Sequence, residues 1–68
     1  MNISARNAIK GKISKITKGA TTSHVVIAIN GATITASITN ESVEELKLKE
    51  GIEAYAVIKA SDVMVGVD

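Results

Sequence analysis

The sequence contains no cysteine, no proline, no phenylalanine and no tryptophan, and it has one tyrosine, Tyr55, and one histidine, His24. Each absence removes a class of protein. Without cysteine there is no disulfide framework and no thiolate metal site, and a lone histidine provides no imidazole pair at ligand spacing. The lack of proline, of low-complexity tracts and of repeats leaves nothing that marks a linker, so residues 1–68 read as a single domain. Aromatic stacking platforms, on which single-stranded nucleic acid binding leans, are nearly missing. Eight basic groups face seven acidic ones, so no whole-molecule field draws in nucleic acid or an anionic membrane. No apolar run approaches the ~18 residues of a membrane span, and no charged and apolar leader pattern opens the chain. The expected compartment is the cytoplasm, with no membrane partner.

What is present is a chain rich in Val, Ile and Ala, suited to sheets and flat interfaces. A chain of this length buries only about 60% of the surface its unfolded form exposes. Small domains usually add disulfides, a metal or subunit contacts. Here association is the remaining route, and a homo-oligomer is expected.

Ile9, Gly11 and Ile13 alternate with Lys10, Lys12 and Ser14, the period of a half-buried strand. Ile16 falls out of phase, which predicts a bulge or bend near Ser14 and Lys15 of the kind that closes a barrel. Two β-branched runs, His24 to Ile29 and Ala32 to Ile38, flank Asn30-Gly31, a type I′ hairpin signal. Ser42 and Glu45 have capping-box spacing inside residues 39–47, which predicts a short helix. Alternation resumes from Ile52 to Ala60, and Val63 to Val67 reads as a last strand. Three strands, a helix and two strands predict an all-β, five-stranded OB-like barrel with one short helix between strands 3 and 4.

Catalytic equipment is scarce. His24 has no partner, the acids Glu41, Glu44 and Glu45 suit a helix start, and no nucleophile elbow, phosphate loop or zinc signature occurs. The chain is therefore read as a non-enzyme with no metal site. Lys10, Lys12, Lys15 and Lys18 form a basic series that keeps a nucleic-acid-binding OB module as the alternative, although a solvated face that protects an edge explains them as well. Two other segments, Ser4-Ala5-Arg6-Asn7 and Lys59-Ala60-Ser61-Asp62, each combine a cation, a hydroxyl and a small alanine. Together they supply a guanidinium fork, an ammonium, hydroxyls and amides that suit a tetrahedral dianion. Spacing alone does not separate this from ordinary surface chemistry.

These segments, joined by Gly11-Lys12-Ile13, Val26 to Gly31, Ile34 to Thr39, Ser42, Leu46, Leu48, Gly51 and Ala54 to Met64, resemble the molbindins along almost the whole chain. Molbindins are small molybdate- and tungstate-binding proteins, also found as domains in molybdate-responsive regulators and molybdate transporter ATPases. The resemblance implies an OB-like fold, a hexamer built as a trimer of dimers, and storage or homeostasis of the oxyanion rather than turnover. It also implies oxyanion sites between subunits, with Ser4 and Arg6 from one chain, Lys59 and Ser61 from its neighbour, and amides at Ala5 and Ala60. Asn7 matches the pattern, either touching the anion or holding its loop. A second class of site, made largely by loops and backbone, maps onto no motif residue. Molybdate and tungstate are fully deprotonated at neutral pH and need only donors, whereas hydrogen phosphate needs an acceptor. A site of donors alone is expected to reject phosphate, provided Asp62 points away.

Overall fold

The computed structural model describes residues 2–68. Strand β1 (Asn7–Lys18) is followed by β2 (Thr22–Ile29), β3 (Ala32–Thr39), helix α1 (Asn40–Glu45) and β4 (Glu53–Ile58), and a 3-10 turn at Ala60–Asp62 follows. The strands form one antiparallel sheet in the order β3-β2-β1-β4. Strand β1 organises it by changing partners along its length. Residues from Asn7 to Lys12 pair with β4, and residues from Lys12 to Lys18 pair with β2.

The expected irregularity lies where the phase slip put it, since the β1–β2 register shifts between Ile13 and Lys15 and Ser14 is the extra residue. Such a bulge bends and twists the strand, letting β1 serve two neighbours. The Asn30-Gly31 turn has φ of 43° and 83°, so both residues occupy the left-handed region a type I′ hairpin needs. Across this hairpin Val25 faces Ala36 and Ile27 faces Ile34, which puts the expected apolar sets of both strands on one side. Strands β1 and β2 each run closer to their connection than the alternation suggested, reaching Lys18 and starting at Thr22.

The helix starts earlier than expected. Thr39, rather than Ser42, is its cap, and the Thr39 hydroxyl oxygen accepts from the Ser42 N–H at 3.0 Å. Ser42 therefore sits in the third helical position and Glu45 ends the helix, so the Ser42–Glu45 capping box does not form. A serine or threonine three residues ahead of a polar partner occurs twice here, and the chain takes the earlier one.

Ile13, Val25, Ile27 and Ala56 are buried, and Ile16, Ile29, Ile34, Ile38, Val43, Leu48, Ile52 and Ala54 pack around them. Among the described residues Ser23 is the buried polar side chain. Its hydroxyl donates to Asn40 Oδ1, and Asn40 Nδ2 donates to the Gly19 carbonyl at 3.0 Å, so the β1–β2 connection is tied to the helix start.

The sheet has four strands, not five. Residues 63–67 leave the 3-10 turn and pair with no strand among the described residues, with Met64, Val65 and Val67 more than 90% exposed. Alternating valines mark a segment able to form a strand, but they do not say which edge it joins. Among the described residues the outer edges of β3 and β4 both stay open.

Candidate functional site

The antiparallel pairing of β1 with β4 ends at Asn7 opposite Ile58. The residues just before β1 and just after β4 are therefore neighbours, although about fifty positions separate them. This register brings Ser4, Ala5 and Arg6 beside Lys59, Ala60 and Ser61. All six line one groove of about 520 Å³, together with Ile3, Val57 and Asp62.

Six of the seven residues singled out from the sequence thus share one concave surface. Asn7 does not line it. Its Nδ2 donates to the Ile58 carbonyl at 3.3 Å, which fastens the last rung of the ladder below the groove. That bond is a holding contact. The two donor clusters, expected from different subunits, meet here within one chain.

The turn after β4 gives the groove its backbone donors. Lys59 stays extended, at φ −65° and ψ 132°, and the chain then folds into the 3-10 turn. The N–H groups of Asp62 and Val63 donate to the carbonyls of Lys59 and Ala60, at 2.9 and 3.2 Å. Those of Ala60 and Ser61 stand at the start of the turn, where helical bonding supplies no acceptor. Alanine at positions 5 and 60 adds only a methyl group, leaving the backbone approachable.

Ala5 is half-buried, whereas Ser4, Arg6 and residues 59–62 are exposed. Arg6 and Lys59 give the groove two positive charges, and Asp62 sets one negative charge against them. Composition and motif reasoning missed Ile3 and Val57, which supply an apolar wall; their only signal is proximity in sequence to the two donor segments.

Other candidates are not gathered into a site. Among the described residues no three His, Cys, Asp or Glu side chains cluster as metal ligands. His24 is exposed on β2, between Thr17 and Ser37. A second hollow of about 380 Å³ lies at the hairpin end, where Lys10 and Lys12 meet Asn30 and Glu53. Its Lys10 is already paired with Glu53, at 3.6 Å.

Comparison with known proteins bears on this groove. Residues 3–65 match the TOBE domain family. The chain is 53% identical over 66 residues to molybdenum-pterin-binding protein 1 of Clostridium pasteurianum, covering 96% of this chain and 97% of that protein. Among solved structures, MopII from Clostridium pasteurianum superposes with a TM-score of 0.91 at 49% identity, covering 97% of this chain and all of that one. The cytoplasmic molybdate-binding protein ModG, solved with molybdate bound, gives a TM-score of 0.93 at 45% identity, covering all of this chain and 49% of ModG. Matched nearly end to end in both sequence and fold, the chain belongs to the TOBE-domain family and, within it, to the molbindins.

Proposed function

We propose that this protein binds molybdate or tungstate in the groove formed by Ser4, Ala5, Arg6, Lys59, Ala60 and Ser61, and serves to store or buffer the oxyanion without transforming it. The observation that carries this reading is the meeting of two donor clusters, far apart in sequence, on one surface. A tetrahedral dianion has four acceptor oxygens and no proton. The Arg6 fork, the Lys59 ammonium, the hydroxyls of Ser4 and Ser61 and the free amides at the 3-10 turn match it with charge-assisted and neutral hydrogen bonds. The names of the relatives, molybdenum-pterin-binding and molybdate-binding proteins, support the same ligand class.

The exposure of most of these donors explains why assembly belongs to the reading. Water competes for an open site, and a covering subunit lowers the local dielectric and strengthens each bond. In a two-fold dimer the same patch meets itself, so Arg6 of one chain faces Lys59 of the next and the reverse. The proposed assembly is a hexamer made as a trimer of dimers. Its OB-like barrel reaches five strands when the Val63–Val67 segment finds an edge within the oligomer, and its compartment is the cytoplasm. Asn7 acts by positioning.

Native mass spectrometry with molybdate, tungstate and sulfate tests this directly. An intact oligomer carrying oxyanion adducts is expected, and Arg6→Ala is expected to abolish them. Co-expression of Arg6→Ala with Lys59→Ala chains then separates the arrangements. Sites shared between subunits regain part of their binding in mixed dimers, whereas sites within one chain regain none. An oligomer without adducts at saturating molybdate refutes the reading. The nucleic-acid alternative is not favoured, because the exposed β1 lysines have only Tyr55 as an aromatic neighbour.

A further inference from the structure

The groove is not made of donors alone. Asp62 lines it beside Arg6 and Lys59, and a carboxylate only accepts hydrogen bonds. The Asp62 N–H closes the 3-10 turn onto the Lys59 carbonyl at 2.9 Å, so the turn that offers free amides also carries the acid. Its charge is not spent on the groove's own cations. Among the described residues the ion pair that forms is Lys10 with Glu53, elsewhere on the sheet.

Two consequences follow for a bound oxyanion. A negative charge on the rim opposes any dianion, whatever its size. The same carboxylate is a strong acceptor for an oxyanion that still carries a proton, because an O–H donating to a carboxylate is among the stronger hydrogen bonds. Resting on the oxyanion reading above, we propose that Asp62 is the specificity-determining residue of the groove, weakening its hold on fully deprotonated dianions and accepting the hydrogen bond of a protonated one such as hydrogen phosphate. Phosphate is then a real competitor rather than an excluded ligand.

Sulfate and hydrogen phosphate separate the two effects, since at pH 8 both are tetrahedral dianions and only phosphate carries a proton. Titration calorimetry of the full chain with molybdate, sulfate and phosphate is the experiment, on the parent protein, Asp62→Asn and Asp62→Ala. Both variants remove the charge, and each is expected to bind molybdate and sulfate about three- to tenfold more tightly. Only Asp62→Ala removes the acceptor. The phosphate-to-sulfate affinity ratio is expected to fall about tenfold in Asp62→Ala and by less in Asp62→Asn, whose neutral amide oxygen still accepts but more weakly. A parent protein that binds molybdate but no phosphate overturns the proposal, as does an unchanged ratio in Asp62→Ala. A parent protein that binds none of the three refutes the functional reading itself. Should Asp62→Ala fail to fold, the molybdate gain in Asp62→Asn decides the charge effect.

Discussion

Gly11 sits one residue before the point where β1 exchanges β4 for β2, and a methyl group there has no room. A Cβ would lie 2.5 Å from the Ala28 carbonyl oxygen, 2.6 Å from Ile29 Cγ1 and 2.8 Å from Ile27 Cγ2. Ordinary carbon–oxygen approaches between strands are about 3.3 Å or more, so Gly11→Ala must push the β2 backbone away by roughly 0.8 Å. The isoleucines can rotate, but the carbonyl belongs to the hairpin and moves only with it. Overpacking of this kind costs about 1–3 kcal/mol. Stabilities of roughly 0.05–0.15 kcal/mol per residue give a chain this short about 3–10 kcal/mol in all. A loss of about 2 kcal/mol lowers Tm by about 8–16 °C. Thermal unfolding followed by circular dichroism, at one fixed protein concentration because the protein is expected to associate, measures the shift. A Tm within about 2 °C of the parent refutes the argument that close approach at Gly11 sets the β1–β2 crossing.

Other perturbations test other links. Arg6→Lys keeps the charge and loses the fork, so molybdate affinity should fall about tenfold by calorimetry, less than for Arg6→Ala; equal losses would mean the guanidinium geometry is irrelevant. Asn40→Ala strands the buried Ser23 hydroxyl and removes the tie to the exposed Gly19 carbonyl, and should cost about 1–3 kcal/mol in urea unfolding, part of which Ser23→Ala in the same chain restores. Removal of residues 63–68 should leave the strand content by circular dichroism nearly unchanged while lowering the mass seen by light scattering. An intact oligomer after that truncation would show that the valine segment closes nothing.

Local rules carried the elements whose causes are local. The Asn30-Gly31 turn and the bulge after Ile13 follow from positive φ and from a phase slip, and both can be read within a few residues. The helix cap was less legible because Thr39 and Ser42 are chemically equivalent candidates three residues apart, and only the geometry of the β3 exit chooses between them. The valine-rich end shows the opposite limit, since pairing depends on a partner that no stretch of sequence specifies. At the groove, the donor clusters stand out as residues, but their meeting depends on the Asn7–Ile58 register. Asp62 is visible beside Lys59 from the outset; only the turn at Ala60–Asp62 shows that it lines the groove.

The divided loyalty of β1 also sets a gradient of motion. Its second half carries Ile13 and packs by Val25, the most buried apolar side chains among the described residues, while its first half ends in the exposed groove residues. Local opening follows burial, so amide hydrogens at residues 5–8 and 57–61 should exchange with solvent well before those at 13–18. An anion bridging Arg6 and Lys59 would staple that frayed end shut. Slowed exchange confined to one end of one strand pair then becomes the signature of an occupied site, readable without any label on the ligand.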